Sequence, residues 1–487
     1  MQIKKIFDIV GPNGVVPNGW NYNYTSDFWD YNFIVVHDFI KQFNKNYVHV
    51  SVYDCNLNIS EHNVENKHIS ELHYNNTDKL VGYGNDTGLF IYTIHPFGSI
   101  DTCLGNNLNY HQNAHCFDFI SDQAKSYIQN AKNFYLVFDY SSEGDIKSAI
   151  FENLHNKCKE LNIPPTKVLI ITSAMNTRSI YEEYLSKTPQ SEEFYTAYYC
   201  WPLLGKRSET RHILHDSSIV EFNGHKNVNS LMNVSDFNKA TNRNKKCLIF
   251  NRRIAPHRVI LLSLLANDKL LDNTEYSIDL DMSHSDNLGL DMANGTGYNG
   301  DSYLLNPKTK SNMMSGFMTL NKIKKKTIDF DDISNVWGFG FENKQNYLNT
   351  YFSVITETIF YEDGHYISEK SFKGIAHMHP FVILGKPGIL KYLKSVGFQT
   401  FSDFWDESYD EIQDNSERME VCYSLIKSLI EKSNEEWDEL NQKLLPILEH
   451  NRKHILSFED ETVNDVYIAN LYKLFENEPN KENYFLF

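Results

Sequence analysis

The sequence predicts an α/β protein made of two successive α/β domains and a helical tail. Three observations carry this reading. Short apolar runs alternate with segments of helical period in the first half, where 133–139 (NFYLVFD), 146–161 and 167–172 (KVLIIT) read as strand, helix and strand. The same alternation returns after residue 246, and from Asn415 onward the chain is charged and amphipathic. Short links between strand and helix suggest parallel βαβ units. A length of 487 residues is too great for one ordinary core.

The elements follow in order. Residues 47–53 (YVHVSVY) alternate as a strand, and 89–94 form a second candidate. In the second half, 246–251 (KCLIFN) is a strand, and 256–270 is a helix with Pro256 in its first turn, where proline fits. Strands are expected at 276–280, 351–360 and 381–384, and helices at 368–377 and 387–395. The stretch 281–312 is rich in Asn, Asp, Gly and Ser and reads as a long loop. Leu425, Ile426, Leu429 and Ile430 have helical spacing, and 417–450 is expected to be a packed helical pair. The polar stretch before Lys246 sets the boundaries at 1–235, 236–414 and 415–487. Two open α/β sheets present ligands with the loops at the carboxyl ends of their strands.

Composition narrows the classes of function. Hydrophobic residues at 41% and charged residues at 22% describe a globular chain. The net charge of −17 argues against a protein that grips nucleic acid through phosphates, though it leaves room for a local basic groove. The apolar run in MQIKKIFDIV is too short for a secretory signal. The longest mostly apolar run, 259–266, is far below the ~20 residues of a spanning helix, so no membrane span is expected. Seven cysteines are scattered without a CxxC pair and read as reduced thiols, which points to the cytoplasm.

Two clusters carry chemistry. Asn251, Arg252 and Arg253, with Arg258 close behind, lie between a strand and a helix start in an acidic chain. Guanidinium forks beside the free N–H groups of a helix N-terminus suit a diphosphate. The second cluster is YFSVITETIFYEDGHYISEK, residues 351–370. Glu357 sits at a strand end, and Ser368 is a helix cap with Glu369 and Lys370 in the first turn. The carboxylates suit sugar or ribose hydroxyls, and the lysine suits a phosphate.

Tyr366-Ile367-Ser368-Glu369-Lys370 resembles the Tyr-Val-Thr-Glu-Lys signature of alpha-1,3-fucosyltransferases. The strand at 380–385 (PFVILG) is similar to that family's Pro-hydrophobic-Gly strand, and Asn251 to Arg258 resembles its arginine-bearing donor loop. Ser368 to Phe372 and Gly385 to Phe398 also resemble glycosyltransferase-like proteins of phages and large viruses. The resemblance covers about a third of the chain. Glu357-Thr358 stands where the family has Glu-Asn-Ser, with spacing two residues longer, and the cysteine segments of the animal enzymes have no counterpart. Fucose is therefore not implied. What the resemblance implies is a GT-B fold of two facing Rossmann-like domains, a UDP- or GDP-sugar as co-substrate and no obligatory metal. It also implies that Asn251, Arg252, Arg253, Arg258, Glu357, Tyr366, Ser368, Glu369 and Lys370 hold the donor. The acceptor is a hydroxyl of a glycan or a protein. For a viral protein, acting in host cytoplasm, a hydroxymethylated DNA base is a further option.

Transfer with inversion needs a carboxylate to take the acceptor's proton. Asp139, at a strand end, and Glu143, in the following loop, are the leading candidates. Asp8 and the His95-Pro96 pair are weaker ones. Asp279-Leu280-Asp281 has the form of a metal-binding Asp-x-Asp motif, but acids are common in this chain. His111, His115 and Cys116 lack a fourth ligand at zinc spacing. Residues 11–14 (GPNG) are not a dinucleotide loop, which argues against a nucleotide-binding epimerase. The rival from another class is a non-catalytic binding protein on a degenerate fold of the same kind.

Overall fold

The computed structural model describes residues 3–7, 51–53, 89–95, 117, 129, 134–140, 144, 146–199, 221–222, 225–226, 231–251, 254–280, 306–328, 344–361, 363–457 and 484–485. The chain divides into two compact units, 1–205 with 461–487, and 206–460.

The first unit is built on a seven-stranded sheet. Its strands are β1 (Ile3–Phe7), β2 (Ser51–Tyr53), β3 (Leu89–His95), β4 (Phe134–Tyr140), β5 (Val168–Thr172) and β6 (Tyr195–Tyr198), joined by the C-terminal strand Tyr484–Phe485. Every pairing is parallel, in the order β1-β3-β4-β5-β6 and then the C-terminal strand, with β2 also on β3. All five residues of β5 are buried, as a parallel strand covered on both faces requires. Helix α1 (Ser148–Glu160) links β4 to β5, and α2 (Thr177–Lys187) links β5 to β6. Ile150, Phe151, Leu154 and Cys158 form the buried stripe of α1. In that core His155 Nε2 and the Tyr181 hydroxyl share a hydrogen bond of 2.9 Å, and the hydroxyl accepts from the Phe194 amide. Burial holds the His155 imidazole down to about 4.

The second unit opens with a short hairpin, β7 (Glu221–Phe222) and β8 (His225–Lys226), followed by helix α3 (Val234–Lys239). Its main sheet is parallel, with the order β10-β9-β13-β14. The strands are β9 (Cys247–Ile249), β10 (Thr274–Tyr276), β13 (Phe352–Thr356) and β14 (Phe381–Leu384), and those of β9, β13 and β14 are buried throughout. A small antiparallel pair joins β11 (Ile278–Asp279) to β12 (Lys325–Lys326). The helices are α4 (Pro256–Asn267), α5 (Pro307–Ile323), α6 (Lys344–Leu348), α7 (Glu369–Ala376), α8 (Ile389–Ser395), α9 (Asn415–Ile430) and α10 (Asn434–Ser457). Helix α4 packs against α5 and α9, and α7 against α10. Trp437 of α10 stacks on Tyr351 and Phe352 at centroid distances of 5.6 and 5.2 Å. Helices α9 and α10 thus belong to the core of the second unit.

Three expectations change. The loop expected through residue 312 gives way to α5 at Pro307, where the Asn306 side chain caps the Thr309 amide and Pro307 sits at the first helical position. The strand expected at 276–280 breaks, because the chain leaves β10 and turns to pair with β12. The segment after Asn415 is helical through Ser457, but Tyr484–Phe485 is a strand on β6.

Candidate functional site

The order of the second sheet creates a switch point. From β9 the chain passes through α4 to β10 on one side, and from β13 it passes through α7 to β14 on the other. Right-handed crossovers running in opposite directions send α4 and α7 to opposite faces of the sheet. In an open α/β sheet the usual ligand position is the crevice at such a point, here between the carboxyl ends of β9 and β13.

Asn251 stands in this crevice, two residues beyond β9 and only 1% exposed. Its backbone N–H donates to Ser277 Oγ at 3.0 Å, and its Oδ1 accepts from Thr356 Oγ1 at 2.5 Å. Its Nδ2 is buried and has no partner among the described residues. Turning the amide over would satisfy Nδ2 and strand Oδ1, so one polar atom is left over in either orientation. A buried polar atom of this kind costs about 1–3 kcal/mol unless something else fills the place.

The first turn of α4 is latched to the end of β13. His257 Nε2 donates to the Glu357 carbonyl at 2.9 Å. Arg258 Nη2 donates to the carbonyls of Glu357 at 3.1 Å and Thr356 at 3.3 Å. Burial, helped by the adjacent Arg258 guanidinium, holds His257 well below its ordinary range, so the ring is neutral and its Nε2 keeps its proton. Arg258 is itself buried. Its sequence position suggested a diphosphate contact; these bonds give it a scaffolding task at the edge of the crevice.

Glu357 links β13 to α7. Its carboxylate is fully buried and accepts from Ser368 N at 3.0 Å, Thr358 N at 3.2 Å and Ser371 Oγ at 2.5 Å. Ser368 Oγ in turn caps the Lys370 amide at 3.3 Å. Gly385, just after β14, leaves room for this arrangement: a Cβ there would lie 3.1 Å from Glu357 Cβ and 2.6 Å from Ile389 Cδ1. Lys370 Nζ lies at the rim, about a quarter exposed, near Thr358 Oγ1 at 3.1 Å and Glu369 Oε1 at 3.2 Å. Tyr366 is buried two residues before the cap.

Three helix N-termini of the second unit follow strand ends, and they differ in how they are filled. Helix α7 has Ser368. Helix α8 is closed by Asp410, whose carboxylate accepts from the Leu390 and Lys391 amides at 2.9 and 3.0 Å, while Gly388 at φ +89° donates its N–H to the Asp410 carbonyl. Helix α4 has Ala255 at its cap position, no side-chain cap and no acid in its first turn. With no capping side chain its positive potential stays open to an outside anion, although Pro256 has no N–H and the Arg258 amide donates to the Ala255 carbonyl at 3.0 Å.

Sequence reasoning did not single out Arg418. It is buried, donating to Gly385 O at 3.0 Å, Phe360 O at 3.2 Å and Ile412 O at 2.8 Å, with its guanidinium 4.5 Å from the Phe360 ring centroid. It ties together the loops that leave β13 and β14. Asp279 is paired with Lys325 at 3.2 Å. Among the described residues no His, Cys, Asp or Glu cluster is gathered for a metal. The backbone of Asp139 is the next-to-last residue of β4. Its side chain, that of His95, and Asp8, His111, His115, Cys116, Glu143, Arg252, Arg253 and Asp281 lie outside the described residues.

No protein-family model matches the chain, and no curated protein matches it. Among solved structures, a trehalose-6-phosphate synthase aligns with 82% of this chain and 76% of its own, at 10% identity and a TM-score of 0.33. A likeness that distant carries no argument about activity, so the account of the site rests on its own geometry.

Proposed function

We propose that the chain is a glycosyltransferase of GT-B type that moves a sugar from a UDP- or GDP-linked donor to an acceptor hydroxyl. The observation that carries this is the unmatched, buried amide of Asn251 in the switch-point crevice, beside the uncapped end of α4. In this reading the donor diphosphate lies at that end. Arg252, Arg253 and Lys370 neutralise it as it becomes the leaving group, which is electrostatic stabilisation of the transition state. Asn251 meets a polar atom of the nucleotide, and Glu369 and Tyr366 line the sugar and ribose side. His257, Arg258, Glu357 and Ser368 hold the two edges of the crevice in place. Asp139 or Glu143 takes the acceptor's proton. The sequence resemblance to alpha-1,3-fucosyltransferases at 366–370 supports the same reading.

The test is calorimetric titration with UDP-, GDP- and CMP-sugars, together with donor hydrolysis. Binding at millimolar levels or tighter is expected, with at least a tenfold loss in the Arg252→Ala, Lys370→Ala double variant. Absence of binding to every donor, or unchanged affinity in the double variant, defeats the proposal.

A further inference from the structure

Among the described residues, the large hydrophobic side chains that stand out into solvent are Met318, 60% exposed, and Ile323, 37% exposed. Both belong to α5. The surrounding segment, 306–328, holds six lysines at 308, 310, 322, 324, 325 and 326 and no Asp or Glu, within a chain of net charge −17. An ordinary solvated face of an acidic protein has neither property.

The geometry of α5 sorts these residues. Met313, Gly316 and Leu320 are buried on the side packed against α4. Gly316 is what lets the helices meet, since a Cβ there would lie 1.7 Å from the Ser263 carbonyl oxygen. Helical spacing places Met314, Met318 and Lys322 in one row on the opposite side. Lys325 and Lys326 pair with Asp279 at 3.2 Å and Glu275 at 3.6 Å. Lys308, Lys310, Lys322 and Lys324 have no ion pair among the described residues. At the N-terminal end, Glu420 of α9 accepts from Asn306 Nδ2 and Thr309 Oγ1.

We propose that the outward face of α5 docks on an anionic lipid bilayer. The lysines meet the headgroup phosphates and carboxylates, and Met314 and Met318 enter the acyl boundary, as in an interfacial helix, while Ile323, seven residues after Gly316, lies toward the packed side. No helix among the described residues is long and apolar enough to cross a membrane, so the contact is peripheral. Nucleic acid fits less well. Its phosphates are gripped best by arginine forks, which this face lacks, and it gives exposed Met side chains nothing to bury in. The proposal does not depend on the sugar-transfer reading.

The experiment is co-sedimentation of the full chain with vesicles of phosphatidylcholine alone and of phosphatidylcholine with about 30% phosphatidylserine, at low and high salt. Binding to the anionic vesicles that weakens with salt is expected. Each lysine near such a surface contributes roughly fivefold in partitioning, so a Lys308→Gln, Lys322→Gln, Lys324→Gln variant loses on the order of 100-fold. Met318→Ser, an independent probe at an exposed position, weakens binding with the lysines intact. Unchanged far-UV melting in these variants checks that the fold is kept. The proposal is overturned by absence of binding to anionic vesicles, by equal binding of the triple variant, or by duplex DNA binding without vesicle binding.

Discussion

Glu357 offers the most direct handle on how the crevice is built. Replacing it with alanine removes the acceptor of three donors, Ser368 N, Thr358 N and Ser371 Oγ, at a fully buried position. The Ser371 hydroxyl can rotate to another acceptor, but the buried Ser368 amide cannot. One stranded amide costs about 1–3 kcal/mol, and the lost side-chain volume adds to it, while relief from burying a carboxylate subtracts. A net loss of about 2–4 kcal/mol follows. Glu357→Gln keeps the volume. Its carbonyl oxygen can face the two amides while its NH₂ donates to Ser371 Oγ, so about 1 kcal/mol is lost with the charge assistance. Urea unfolding followed by tryptophan fluorescence reads this well, because Trp437 stacks on the start of β13. The alanine variant should shift the midpoint by on the order of 1 M and the glutamine variant by a third of that or less. Equal midpoints for all three proteins, or a glutamine variant as damaged as the alanine one, would refute the reasoning.

Other perturbations test neighbouring parts. Gly316→Ala should destabilise by about 3 kcal/mol or more, because its Cβ meets Ser263 backbone, whereas helix propensity alone predicts a gain of about 1 kcal/mol. Thermal melting decides by the sign of the change. His379 is buried between the Ser353 hydroxyl and the Thr350 carbonyl, and burial, helped by Arg243, holds it at about 3. The unfolded chain takes up this proton near pH 6.5 and the folded chain only near 3, so stability falls as pH drops through that window. The loss from this residue is about 2 kcal/mol at pH 5, and His379→Gln should flatten the pH dependence of urea midpoints between pH 7 and 5 by that amount. Arg418→Lys should weaken donor binding at least threefold while Phe360 and Gly385 lose their shared clamp. Unchanged affinity would limit Arg418 to folding.

Much of the second unit was legible because its strands carry their own signal. The run 381–384 is apolar at every position and is a strand over those residues, since a parallel strand buried on both faces needs no alternation. Ser368 followed by Glu369 announced the start of α7, and the cap is present. Helix α5 was not legible. Its beginning is hidden in a long Asn- and Gly-rich stretch, and Gly316 and its serines lower helix propensity, while the close approach to α4 that explains Gly316 is a tertiary fact. Residue types at the site were readable, but their partners were not. Arg258 and Glu357 have the chemistry of ligand-binding groups, yet the structure turns them onto Thr356, Glu357, Ser368 and Ser371, because they sit where two crossovers meet and backbone groups there need partners. Arg418 lies more than thirty residues from Gly385 in sequence, and nothing local marks it as a clamp.

The central claim is that the crevice between β9 and β13 holds a nucleotide diphosphate. Crystals of the chain soaked with UDP- and GDP-sugars test it most directly. The account predicts diphosphate density at the N-terminus of α4, with a nucleotide atom within hydrogen-bonding distance of the Asn251 amide. Nucleotide density elsewhere, or an Asn251 amide still unmatched beside bound nucleotide, would contradict it.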